Sequence, residues 1–345
     1  MKKIIFTLFL AVILSGNVFA ATSTLKNALP LLQKTNRTAA ENQQVLQLFR
    51  TSTDPDVIFA SGASLVRLPP AKAQEPSLFN VILRSDDLLK KTFAAVIITA
   101  MGSAHDELTP LLQEAIKGKD PVLRAYAAAA YTIIEPQTDY TNDIVRLYIF
   151  DPAFAARALN VACGKEKTPF KYLKQASQST DEQLRAAAAY WLGSLHTTAA
   201  NKQLLKLAKK ESSPDVQASL ARALAENRQD TLSTLVSGLR KNHESAYANT
   251  CALALGFMTG NAVEPLRQAL LSKNLQERIN ASRAAAYMAN VLVNPETARY
   301  SSDRKFDIYL LKGLIAPLNV VANSTNDTEK LYAENALRQI EKLME

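Results

Sequence analysis

Residues 106–135, DELTPLLQEAIKGKDPVLRAYAAAAYTIIE, read as one helix, a tight turn and a second helix. Asp106 is placed to cap the first helix, in which Leu108, Leu111, Leu112, Ala115 and Ile116 recur at helical spacing. Gly118 closes that helix and Asp120-Pro121 opens the next, with Asp as N-cap and Pro at the first helical position, where no N–H is needed. In the second helix Leu123, Ala127 and Tyr131 form one stripe. Two short helices cannot bury such stripes alone, so the unit needs neighbours.

The neighbours recur at a nearly constant period. Turn positions fall at Asp54, Asp86, Asp120, Asp151, Asp181, Ser213, His243 and Asn274, at intervals of 32, 34, 31, 30, 32, 30 and 31 residues, and a further copy starts near Asp327. Such a period marks stacked helical hairpins. Three positions past the turn stand Val57, Leu89, Leu123, Phe154, Leu184 and Val216; eleven past it stand Leu65, Ile97, Tyr131, Ala162, Leu192, Leu224, Ala254 and Ala285. These columns predict the buried seam. No strand-type alternation is present. The expected fold is all-α, an α-solenoid of about nine stacked hairpins over residues 41–345, with a capping helix in residues 21–40. A loop near 293–305, VNPETARYSSDRK, interrupts it, and a long apolar helix is expected over 306–322.

Three turns, Asp120-Pro121-Val122-Leu123-Arg124, Asp181-Glu182-Gln183-Leu184-Arg185 and Ser213-Pro214-Asp215-Val216-Gln217, resemble the HEAT-repeat family, including its short bacterial phycobilin-lyase-like form. So does a Pro inside the first helix, at Pro110, Pro265 and Pro317. The resemblance covers roughly residues 40–343, implies the solenoid, and is nearly silent on function. It also implies a ladder between repeats, made by the turn Asp and the following Arg. The third and fifth copies keep both residues, Lys90 is placed to substitute in the second, and the sixth and seventh lack the Arg.

Residues 1–20, MKKIIFTLFLAVILSGNVFA, read as a secretory signal peptide: Lys2 and Lys3, the apolar run Ile4–Leu14, and a small-x-small site at Val18-Phe19-Ala20. The run is shorter than the ~20 residues a membrane span needs. The mature chain is therefore expected to be periplasmic or secreted in a bacterium, with no membrane span after cleavage. The formal charge of +8 (40 basic, 32 acidic residues) becomes +6 once Lys2 and Lys3 are removed. In the cytosol a basic chain would suggest nucleic acid; an exported one meets other proteins and anionic envelope components instead. Cys163 and Cys251 fall on second helices three repeats apart, too distant for a disulfide, and Cys251 stands in a column held elsewhere by Gly62, Ala94, Ala128, Ala189 and Ala221. Both read as core thiols.

Catalysis has little support. His105, His196 and His243 sit in separate repeats, and no GxSxG, P-loop or CxxC pattern occurs. No catalytic residue, metal ligand or cofactor site is assigned. Beside core packing, Trp191 with Tyr190 suggests an aromatic ligand site. Two surface patterns remain. Nine positions past the turn, opposite the seam, the second helices show Asn160, Tyr190, Arg222, Ala252 and Arg283, flanked by Ala125, Ala156, Ala186, Ala218 and Ala248. This is either a groove for an extended peptide or helix of another protein, with Asn160, Tyr190, Arg222 and Arg283 as contacts, or a row of small residues that permits curvature. Basic residues also gather where first helices end, among them Lys209, Lys210, Arg240 and Lys241. They form either a basic edge for an anionic envelope polymer or lipid, or cations favoured by helix C-termini. The expected function is an exported, non-enzymatic protein-binding scaffold; the alternatives are an anionic-surface binder and a bilin-lyase-like enzyme.

Overall fold

Free N–H groups at the start of each second helix need acceptors, and every turn side chain but Ser213 supplies one. The computed structural model describes residues 23–137, 139–164, 169–294, 301 and 303–344. The expected signal peptide, and residues 295–300 and 302 of the predicted loop, lie outside these. Two compact units divide the chain after residue 172.

The first unit contains α1 (Ser23–Leu32), α2 (Ala39–Thr51), α3 (Pro55–Arg67), α4 (Glu75–Arg84), α5 (Leu88–Ala100), α6 (Thr109–Ile116), α7 (Pro121–Ile134), α8 (Thr141–Leu147) and α9 (Pro152–Cys163). Helix α10 (Pro169–Ala176) crosses the division. The second unit holds α11 (Glu182–Ser194), α12 (Thr198–Ala208), α13 (Pro214–Glu226), α14 (Arg228–Gly238), α15 (Ala246–Phe257), α16 (Val263–Leu270), α17 (Leu275–Val293), α18 (Arg304–Leu311), α19 (Ile315–Ala322) and α20 (Asp327–Met344). Among the described residues there is no strand. The all-α solenoid expected from the period is the observed architecture.

Within each unit the second helices pack directly on one another: α3, α5, α7 and α9 in the first, and α11, α13, α15, α17 and α20 in the second. Successive first helices touch only lightly. Close approach depends on small residues, because a Cβ on Gly193 would come within 2.8 Å of Ala223 Cα, and one on Gly256 within 3.1 Å of Met288 N. Of the two predicted columns, Leu65, Ile97, Leu192, Leu224, Ala254 and Ala285 are fully buried. Leu89 and Ala162 are only half-buried.

The caps agree with most turns and correct two. Asp120 Oδ1 accepts from the N–H groups of Val122 and Leu123, both at 2.8 Å, and Asp181 caps α11 through Leu184 N. In the second copy Asp87 caps, not Asp86, which shifts the register by one and explains the exposure of Leu89. In the seventh, Ser245 Oγ accepts from Ala248 N, two residues after the expected His243. In the last, Asn326 Oδ1 accepts from Glu329 N. Where a side chain caps, it presents an oxygen at the required distance, which a histidine or a displaced aspartate does not; Ser213 makes no such bond, and its Oγ donates to Glu182 Oε2 at 3.0 Å.

First helices begin differently from the expectation. Asp106–Leu108 is a 3-10 turn, and the α-helix starts at Thr109 with Pro110 in its first turn. The same 3-10 entry precedes Pro76, Pro265 and Pro317. A proline in the first turn removes no helical hydrogen bond, so the 3-10 segment sets where the α-helix can begin. For this reason the long helix expected over 306–322 is broken into α18, a 3-10 turn at Lys312–Leu314 and α19.

The Asp–Arg ladder is also different. The turn aspartates are engaged in capping, and the arginines find other acids: Arg124 Nε meets Asp143 at 3.1 Å, Arg185 forms a two-point pair with Glu211 at 2.9 and 3.0 Å, and Arg278 pairs with Glu329. Lys90 donates to the carbonyls of Arg50 and Ser52. Cys163 and Cys251 are buried and are not joined in a disulfide. Burial pushes the Cys251 thiol up to about 12, against the influence of Tyr247 and Lys209.

Candidate functional site

Helices α13, α15 and α17 carry polar side chains tied across repeats. Gln217 and Asn249 each stand four residues past their caps, Ser213 and Ser245, so stacking brings them level. Gln217 Nε2 donates to the Glu211 carbonyl at 3.0 Å, Asn249 Nδ2 donates to Gln217 Oε1 at 3.0 Å, and Tyr287 OH donates to Asn249 Oδ1 at 2.9 Å. Gln217 and Asn249 thus each donate and accept, which fixes the orientation of both amides. Burial raises the Tyr287 phenol above its usual range, so it stays a neutral donor.

Beside this ladder lies an open groove of about 570 Å³. Arg283 forms part of its floor: Nη1 donates to the His243 carbonyl at 2.8 Å, Nη2 donates to Tyr332 OH at 3.0 Å, and the guanidinium carbon lies 4.7 Å from the Tyr332 ring centre. Asn290 and Asn335 also line the groove, and Glu244 is exposed at its rim.

The predicted contact residues differ in exposure and in what they touch. Asn160 is exposed on α9, in the first unit. Tyr190 is half-buried on α11. Arg222 is half-buried on α13 and stacks on Phe257 at 5.3 Å, while Ala252 is buried. Arg283 corrects the expectation of an exposed column, since it is only 9 % exposed. Helix α20 packs along α17 and brings Tyr332 over the guanidinium. Of the four, only Arg283 lines the groove.

The basic edge is partly neutralised. Arg240 Nε meets both oxygens of the buried Glu277 at 3.1 and 3.2 Å, and Lys209 Nζ lies 5.7 Å from the Tyr247 ring centre. Lys210 and Lys241 are exposed. Trp191 is buried and belongs to the core.

Gln217, Asn249, Tyr287 and Tyr332 do not stand out in the sequence. For the first two a signal exists: four residues past the cap, Ile58 and Ala155 stand where these amides do. With His243 as the turn, Asn249 falls out of register and the column is hidden. Tyr332 reaches Arg283 across 49 residues, a separation with no periodic signature.

The three histidines are each engaged separately: His105 with Glu75 at 2.5 Å, His196 with Asn227 at 3.1 Å and His243 with Gln276 at 2.9 Å. Among the described residues no group of three His, Cys, Asp or Glu could hold a metal ion, and no helix is long and apolar enough to cross a membrane. Side-chain amides, phenols and one guanidinium around an open groove can donate to and accept from a ligand.

No curated protein matches the chain. The model of the family described as HEAT repeats matches residues 201–286, from within α12 to within α17, a segment that includes Gln217, Asn249 and Arg283. Residues 201–286 thus read as HEAT repeats by family comparison as well as by structure.

Proposed function

We propose that this chain is an exported, non-enzymatic scaffold that binds another protein along the second helices of residues 173–345. The oriented Gln217–Asn249–Tyr287 ladder beside an open groove carries this reading. An extended segment brings unpaired N–H and C=O groups, and fixed amides match both. Export rests on the pattern of residues 1–20, with its two lysines, apolar run and small-x-small site.

The second reading, an anionic envelope polymer or lipid held on the basic edge, draws on exposed Lys210 and Lys241. Against it, Arg240 is paired with Glu277, and Lys90 is bound to the carbonyls that end α2. These are local structural roles.

Capture of a partner from envelope extract by the immobilised mature chain separates the two. Gln217→Ala/Asn249→Ala is expected to lose the partner, while Lys209→Glu/Lys210→Glu/Lys241→Glu, which leaves Arg240 paired, keeps it. The opposite pattern moves the site to the edge.

A further inference from the structure

Arg283 differs from Arg185, Arg240 and Arg278 in its counter-charge. Arg185 pairs with Glu211, Arg240 with Glu277 and Arg278 with Glu329. Arg283 is the most buried of the groove's charged groups, at 9 % exposed, yet its two hydrogen bonds go to neutral oxygens, the His243 carbonyl and the Tyr332 hydroxyl. A buried cation is ordinarily matched by an acid, because removing charge from water is costly without compensation. A guanidinium has five N–H donors and two are used, so three remain.

The surroundings indicate what would complete it. Asn290 is seven residues after Arg283 on α17, hence on the same helix face, and Asn335 is one turn after Tyr332 on α20. Neither side-chain amide has a hydrogen-bond partner among the described residues, and both line the groove. Seven helical residues span about 10 Å, the length of about three residues of extended chain. A carboxylate set on Arg283 would therefore leave the following main-chain groups within reach of Asn290. Glu244, the acid in the groove, is exposed at the rim, where solvent weakens its field more than that of the buried Arg283.

We infer that this groove selects an acidic extended peptide segment: a carboxylate forks onto Arg283 beside Tyr332, and the amides of Asn290 and Asn335 pair with the adjoining backbone. This rests on the protein-binding reading above and names the chemistry of its partner. A sulfate or phosphodiester group by itself presents acceptors only and would leave the amide oxygens unmatched.

Fluorescence anisotropy tests it on the mature chain. The probe is a labelled hexapeptide of Thr and Val with two central Asp, beside versions with Asn or Lys in those places; dextran sulfate serves as a competitor without a peptide backbone. The Asp peptide is expected to bind about tenfold or more tighter than the Asn peptide, and the Lys peptide more weakly still. Because Arg283 also holds Tyr332 in place, its substitution could disturb folding. Asn290→Asp and Asn335→Asp carry the test instead, since both amides lack protein partners. Each is expected to weaken the Asp peptide about tenfold with an unchanged melting temperature. Equal affinity for the three peptides, or no binding by any, overturns the acidic selectivity. If peptides bind alike and Gln217→Ala/Asn249→Ala loses them, the scaffold reading still stands. If dextran sulfate displaces the Asp peptide from the wild type and not from Lys209→Glu/Lys210→Glu/Lys241→Glu, binding belongs to the basic edge and both readings fall.

Discussion

The two units link successive second helices through different side chains. In the first, rings follow one another from repeat to repeat: Phe59 to Phe93 at 5.1 Å, Phe93 to Tyr126 at 5.3 Å and Tyr126 to Phe154 at 6.5 Å, all buried. In the second, repeats are joined by the amide and phenol ladder of Gln217, Asn249 and Tyr287. Buried acids differ in the same sense. Asp151 keeps one oxygen on Phe154 N at 3.1 Å, and its other oxygen is buried without a partner. Glu211 and Glu329 are buried against Arg185 and Arg278. One hairpin frame thus supports a sealed aromatic interior or a hydrogen-bonding face. The choice is made by the few side chains between the helices, because the caps and apolar stripes already secure the stack.

Phe93→Ala puts this contrast to its hardest test. The ring is fully buried, touches rings on both sides, and lies against Gly62, where an added Cβ would come 2.6 Å from Phe93 Cγ. The expected loss is about 3–5 kcal/mol. Hydrogen exchange should rise most in α3, α5 and α7 and fade with distance along the repeats. A uniform rise over residues 23–344 would show that stability is not organised repeat by repeat.

A somewhat smaller effect is expected from pH. Burial raises Asp151 from 3.8 to about 6, with the helix N–H groups and Arg67 opposing. Its folded value lies above its unfolded one, so its contribution is complete below about pH 4 and lost as pH rises through about 6. The rise from 3.8 to about 6 corresponds to roughly 3 kcal/mol. Asp151→Asn keeps the capping oxygen and removes the titration. It should match the wild type near pH 4 and exceed it by about 2–3 kcal/mol above pH 7, read by exchange in α9. The second unit has the opposite sign. Burial would raise Glu211 and Glu329, but Arg185 and the Ser212 and Ser213 N–H groups hold the first below the usual range, and Arg278 and Ser324 the second. Their contribution is present above the unfolded carboxylate value and lost as pH falls. A variant whose stability runs parallel to the wild type from pH 4 to 8 would remove Asp151 from this contrast.

Asn249→Ala probes the contrast from the other unit. It leaves Gln217 Oε1 and Tyr287 OH without their partner, at an expected cost of about 1–3 kcal/mol. Trp191, the single tryptophan, lies in the second unit and reports its unfolding by fluorescence. A cost as large as that of Phe93→Ala would make the ladder part of the core and not a face for ligands.

Much of the frame is legible in the residue pattern alone. Asp120-Pro121 announces cap and first turn in two letters, and the column of Leu65, Ile97, Leu192 and Leu224 is fully buried. The pattern misleads where two candidate caps stand close together, as at Asp86 and Asp87 or His243 and Ser245. The spacing tolerates either; only the distance from side-chain oxygen to N–H decides. The exposed column fails at Arg283 for another reason: α20 approaches from beyond the loop, and a helical wheel contains no neighbour.

Caps and apolar stripes act within a few residues, so the order of amino acids was enough to set the hairpin, its period and the face each helix buries. Which polar groups meet was settled only by packing: Gln217 with Asn249, Asn249 with Tyr287, and Arg283 with Tyr332 in place of an acid. These partners are 32, 38 and 49 residues apart, and their meeting depends on contacts between repeats, which local pattern does not encode.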